Sequence, residues 1–187
     1  MILPIYIYGQ PVLRKVAVDI TPDYPELDVL INNMWETLAD SEGIGLAAPQ
    51  IGKSIRLVLI DLDPLSEDFP EYKDFKRVYI NAHIIEVDEE SKKAVSQEGC
   101  LSIPGIHENV SRPTRIYVEY DDENFVHHDE WVEGYLARVM QHEFDHLEGK
   151  MFVDRISAFR QQLIKSKLKA ITQGRYSCAY KTKMQRV

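Results

Sequence analysis

Residues 132–149 read VEGYLARVMQHEFDHLEG, and the reading of the rest of the chain turns on this stretch. Leu136, Val139, Met140 and Phe144 recur at helical spacing on faces that interleave with Tyr135, His142 and His146, and Gly149 stands where a C-cap glycine ends a helix. His142-Glu143-Phe144-Asp145-His146 is an HExxH sequence. Histidines four apart differ by about 40° around the helix axis, so both imidazoles reach one metal ion. Glu143 projects from the adjoining edge, where its carboxylate can touch a water at the ion without becoming a ligand, as a general base must. HExxH also arises by chance on solvated helix faces, so the pentapeptide needs a third ligand before it means a metal centre.

A catalytic site of this kind holds its ion with three protein ligands and leaves one position open. The metalloprotease arrangement HExxHxxGxxH would place a histidine at position 152, but that residue is Phe152. No glutamate follows Glu148, and Asp154 is the one acid beyond it. The ligand must come from upstream or from Asp154. Cys100 is the best upstream candidate, lying in Glu98-Gly99-Cys100-Leu101-Ser102-Ile103-Pro104-Gly105, where glycines on both sides let backbone approach a substrate or metal. A lone cysteine is more often a packed core thiol. The glycine-rich setting and the missing ligand reverse that preference for Cys100, whereas nothing reverses it for Cys178, in a polar tail beside Lys181 and Lys183. A third segment, GIGLAAPQIG at 43–52, has two glycines and small residues against which a peptide backbone can lie. Gln50 within it offers an amide donor able to polarise a carbonyl.

The 187 residues fit one core, with 44% hydrophobic and 28% charged residues, which argues against disorder. No apolar run approaches the roughly 20 residues that span a bilayer, so no membrane partner is expected. Residues 1–10 contain Pro4 and Gly9 with no basic stretch before them, unlike a secretory signal, and a cytoplasmic location is expected. A reducing cytosol makes a disulfide between the two cysteines unexpected. The formal net charge of −8 argues against DNA as a partner, yet ten Lys or Arg against one acid after Glu148 leave +9 there and −17 on the rest.

Periodicity predicts a helix over residues 25–39, a buried strand over 55–62 and a surface loop over 63–77. Short β-prone runs at 78–81, 84–87, 115–120 and 125–131, separated by turn residues, suggest antiparallel pairing, with a hairpin turn at Asp121, Asp122, Glu123 and Asn124. A last helix is expected over 157–171, with Phe159, Leu163, Leu168 and Ile171 on one side. Residues 1–156 read as a catalytic domain and 157–187 as a basic helix and tail of the same unit.

GIGLAAPQIG, EGCLS at 98–102 and QHEFDH at 141–146 resemble the three motifs of the peptide deformylases, in that family's order. The resemblance runs from residue 4 to about 157, and the basic C-terminal helix looks like that of bacterial members that keep this extension. It implies an α+β fold, antiparallel β-sheets packed around a central HExxH helix, with a C-terminal helix. It implies that Cys100, His142 and His146 bind one divalent ion, usually Fe2+, with Zn2+, Ni2+ or Co2+ able to replace it. Glu143 would handle the proton, and Gln50 with the Leu101 amide would stabilise the oxyanion. Gly45 and Gly99 would lie along the substrate backbone, and Ile44, Tyr135 and Val139 would border the methionine side chain. The substrate implied is a formylmethionyl nascent peptide, and the products are formate and a free amino terminus. A zinc-type metallopeptidase and an inactive peptide-binding relative are the alternatives.

The same resemblance suggests a Glu98–Arg112 pair behind the cysteine loop. Arg138 is expected to face outward along the rim. In the C-terminal helix, Phe159, Leu163 and Leu168 are expected to anchor the helix while Arg160, Lys165, Lys167, Lys169 and Arg175 face ribosomal RNA. On that view the chain from about Thr172 onward is dispensable for turnover of a short formyl peptide.

Overall fold

The structure, a computed structural model, describes residues 1–184. Three helices, α1 (Leu27–Asp40), α2 (Gly134–Leu147) and α3 (Ala158–Thr172), accompany nine strands. The strands are β1 (Ile5–Tyr6), β2 (Gly45–Ala47), β3 (Leu57–Asp61), β4 (Lys76–Val87), β5 (Lys93–Cys100), β6 (Ile103–Pro113), β7 (Arg115–Asp121), β8 (His127–Glu133) and β9 (Thr182–Lys183). An antiparallel sheet of order β2-β3-β4-β7-β8 and an antiparallel hairpin β5-β6 enclose α2, and β1 pairs in parallel with β9. The fold is the α+β arrangement expected, with α2 at its centre.

Strand β3 shows how two cores share one sheet. Side chains alternate across a strand. Val58 and Ile60 therefore meet Val139, Met140, Phe144 and Leu147 of α2 together with Ile116 and Val118. Leu57 and Leu59 point the other way, into a cluster with Met34 and Leu38 of α1, Ile103, Ile106 and Val110 of β6, and Ile164 and Ile171 of α3. Burial on both faces explains the continuous apolar run at residues 57–60.

Several elements differ from the sequence reading for identifiable reasons. The runs at 78–81 and 84–87 are one strand, β4, interrupted by irregular register around Asn81. Asn81 has φ 52°, and its amide exchanges hydrogen bonds with the Ile20 N–H (2.8 Å) and carbonyl (2.9 Å) and donates to Asp121 (3.1 Å). A bulge held by a side-chain amide looks like a turn in sequence. On α3, Ile164 and Ile171 are buried and Leu168 partly so, whereas Phe159 and Leu163 are 71% and 50% exposed and do not anchor the helix. The buried stripe is i, i+4, i+7, and Phe159 and Leu163 fall beside it. Arg160 is exposed as expected, but its charge is already paired. Its guanidinium makes two hydrogen bonds, 2.8 and 2.9 Å, to the buried Glu108 of β6.

The C-terminal end of α2 is closed by a Schellman arrangement: Lys150 N–H donates to the Asp145 carbonyl (2.8 Å) and Gly149 N–H to that of His146 (3.3 Å), with Gly149 at φ 65°. A Cβ on Gly149 would also meet the backbone carbonyl of Arg14. Gly149→Ala is therefore expected to lose at least about 2 kcal/mol of stability, adding a left-handed backbone to a collision that no side chain can relieve. Urea unfolding measures it, and an unchanged midpoint would contradict the assignment.

Candidate metal centre and substrate cavity

Cys100 ends β5 at a two-residue turn, paired with Ile103 across it, and the register slips at Gly99 between Glu98 and Cys100. That slip turns the thiol toward α2. Its Sγ lies 3.3 Å from Nε2 of His146, and one ligand atom each from Cys100, His142 and His146 fall within 4.8 Å of one another. Among the described residues this is the one such cluster of three His, Cys, Asp or Glu side chains. A thiol and two imidazoles converging in a buried pocket fit a single divalent ion of intermediate softness. Asp154, the other candidate ligand, pairs instead with Arg14 (2.5 Å).

Glu98 organises the back of this cluster. Its carboxylate receives Arg112 through Nε (2.6 Å) and Nη2 (2.9 Å), Arg138 through Nη1 (2.7 Å), and faces His142 Nδ1 at 2.9 Å. Burial opposes ionisation, but the bonds to His142 and Arg112 outweigh it and hold the Glu98 carboxyl at about 2. With Nδ1 of His142 held by Glu98, Nε2 is the ring nitrogen left for an ion. Arg112 continues to Asp145 (3.0 Å), which also pairs with Arg155. The expected Glu98–Arg112 pair is present. Arg138, expected at the rim, is 8% exposed and bonds also to the carbonyls of Val110 (3.2 Å) and Ala94 (2.7 Å), because Glu98 draws its charge inward.

Glu143 is buried, and its Oε2 has no hydrogen-bond partner. Burial pushes its carboxyl up to about 7. A Cβ on Gly45 would collide with that carboxylate, so the glycine makes room for Glu143. Gln50 is oriented by its own oxygen: Oε1 accepts from Ala47 N–H (2.8 Å), which leaves Nε2 facing Cys100 Sγ (3.5 Å) and Ser102 Oγ (3.3 Å).

These groups open onto a cavity of about 500 Å³. Ile44, Gly45, Gln50, Gly99, Cys100, Leu101, Tyr135, Val139, His142 and Glu143 all line it. His146 does not, lying 1% exposed behind the others. Tyr135 is stacked on Phe69 of the acidic loop, with centroids 6.5 Å apart. The sequence reading missed one wall. Ser177, Cys178, Ala179 and Tyr180 also line the cavity, so the chain after Thr172 is part of the site rather than a dispensable appendage. Nothing in its polar composition signals this.

Three converging donors, a buried carboxylate beside them and an open cavity in front define a class, the single-ion HExxH hydrolases. The profile of the polypeptide deformylase family matches residues 2–162. The peptide deformylase of Flavobacterium johnsoniae is 49% identical over 98% of this chain and 96% of its own. Among solved structures, peptide deformylase from Plasmodium falciparum superposes with a TM-score of 0.80 at 33% identity, covering 91% of this chain and 95% of that one. A Met-Ala-Ser-bound peptide deformylase from Acinetobacter baumannii superposes with a TM-score of 0.74 at 30% identity, covering 83% and 99%. The chain belongs to the polypeptide deformylase family. It is an enzyme that removes the formyl group from nascent peptides.

Glu98→Gln leaves shape intact but removes the charge that three cationic or imidazole partners share. It is expected to cost about 3 to 5 kcal/mol in denaturant unfolding. Loss of the group orienting His142 is expected to weaken metal affinity about 10- to 100-fold in chelator competition. Wild-type behaviour in both measurements would show that Glu98 does not organise the site.

Proposed function

We propose that Cys100, His142 and His146 hold one divalent ion and that Glu143 moves the proton in hydrolysis of the formyl amide. The observation that carries this reading is the buried Glu143 carboxylate, with one oxygen free, beside the three converging donors. Bound there, a divalent ion supplies Lewis-acid polarisation of the formyl carbonyl and lowers the pKa of water. Fe2+ is the ion proposed for the cell, in the cytoplasm, and the same donors accept Zn2+, Ni2+ or Co2+.

Glu143 takes a proton from the attacking water as its oxygen bonds to the formyl carbon. The carbon–nitrogen bond then breaks, and Glu143 returns the proton to the departing amine, leaving formate and a free amino terminus. The buried Glu143 carboxylate, with one oxygen free of protein partners, is placed to carry the proton in both halves of that transfer. Gln50 Nε2 and the Leu101 N–H face the oxygen on which negative charge develops, and each such donor is worth about 3 kcal/mol. Ile44, Tyr135 and Val139 take the methionine side chain, while Gly45 and Gly99 lie along the peptide backbone. The related structure holding Met-Ala-Ser supports a peptide that enters with methionine first.

Cys100→Ser is expected to lose bound ion and turnover together. Glu143→Ala is expected to keep the ion and lose turnover of formyl-Met-Ala-Ser by at least about 100-fold. Metal analysis beside formate release tests both, and a Glu143→Ala protein without its ion would overturn the assignment of Glu143 as a proton carrier.

The basic helix α3 serves a second role in this reading, docking the enzyme to ribosomal RNA near emerging chains. Lys165, Lys167, Lys169 and Arg175 are exposed and available for phosphates, whereas Arg160 is engaged by Glu108. Reversing the three lysines to glutamate is expected to weaken ribosome cosedimentation at low salt and leave turnover of the short peptide unchanged. Equal cosedimentation of both proteins would make the helix mere surface.

A further inference from the structure

The turn between β5 and β6 consists of Leu101 and Ser102, between the paired Cys100 and Ile103. It carries the Leu101 amide and, through Ser102 Oγ, also touches Gln50 Nε2 (3.3 Å). Both proposed oxyanion donors therefore lean on this one turn. Leu101 is only partly buried and stands at the cavity edge, so the turn needs fixing from outside the hairpin.

Two segments remote in sequence supply that fixing. The Ser102 carbonyl accepts from Tyr8 N–H (2.8 Å), and the Leu101 carbonyl accepts from the Tyr180 hydroxyl (2.7 Å). The tail that brings Tyr180 there is itself tied down. Thr182 and Lys183 pair in parallel with Ile5 and Tyr6. The Tyr176 and Thr182 hydroxyls meet at 2.8 Å, and the Lys183 carbonyl accepts from Gln10 Nε2 (3.2 Å). Tyr180 spans from this anchored strand to the turn and lines the substrate cavity on the way.

We infer that Tyr180 is a positioning residue for the hydrolysis, a strut from the C-terminal strand that holds the Leu101 turn where its amide meets the developing oxyanion. The inference rests on the role proposed above for Leu101. Ångström-scale displacement of a positioned group costs rate rather than binding, because the substrate's other contacts survive. Full-length Tyr180→Phe, which removes the hydroxyl alone, is expected to lower kcat for formyl-Met-Ala-Ser about tenfold. KM should stay within about twofold, with bound ion and thermal midpoint unchanged. Thr182→Val removes one tie of the same tail without touching the Tyr180 hydroxyl and is expected to lower kcat by a smaller factor, with KM again unchanged.

Three results would overturn the inference: kcat unaltered in Tyr180→Phe, KM raised with kcat intact, or a kcat loss that merely tracks loss of ion or of folded protein. A wild-type protein that releases no formate would sink the underlying catalytic reading. An active wild type with an indifferent Tyr180→Phe sinks the strut alone.

Discussion

The ion pairs that meet at Glu98 are the constraint on which the site depends. Glu98 on β5, Arg112 on β6, and Arg138 and Asp145 on α2 are all buried, and each desolvated ion costs several kcal/mol before its partners are counted. The cost is offset because the charges alternate and the oxygens are occupied: Glu98 takes both arms of Arg112, one of Arg138 and the imidazole of His142. Such a network is satisfied in one arrangement only, and any slip of the hairpin along the helix leaves a bare charge inside. Cys100 is two residues from Glu98, and His142 lies four after Arg138 on α2. The salt bridges thus set the distance between Cys100 and His142, which stand on different elements.

Hydrophobic order supplies the rest. Because β3 is buried on both faces, α2 on one side and the hairpin with α3 on the other are referenced to the same strand. Small residues then admit the chemistry to this packed frame. Gly45 gives its Cβ volume to the carboxylate of Glu143, and Gly99 yields the corresponding space to the His107 ring. Neither glycine is present for flexibility. Each marks a place where a side chain lies against backbone.

Much of this was legible in the sequence. The α2 helix declares itself by period and by its C-cap glycine, and the excluded downstream patterns together with the glycine-rich setting point to Cys100, which the structure brings beside His142 and His146. The β5–β6 hairpin does not announce itself, for a physical reason. Residues 93–97 are exposed, so β5 has no apolar alternation, and β6 buries Glu108 and Arg112 on the same face as Ile106 and Val110. A strand whose buried face is part charged breaks the pattern on which strand recognition rests. Arg138 misleads likewise, because a cation on a helix reads as solvent-facing until its buried acid is known. The wall formed by residues 177–180 depends on the pairing of β9 with β1, two residues in each strand. No periodicity exists in so short a contact.

That pairing also orders events in time. It joins Ile5 and Tyr6 to Thr182 and Lys183 and so closes a loop around almost the entire described chain. Closure entropy rises only logarithmically with loop length, about 0.6 kcal/mol per doubling, so the contact is tolerable at equilibrium. A contact of such sequence separation is the kind that forms slowly, because the ends must meet before it contributes anything. The cluster of Cys100, His142 and His146 lies within a much shorter stretch, residues 100–146. The cavity's far wall thus waits on a contact between the two ends of the described chain, whereas the three converging side chains do not.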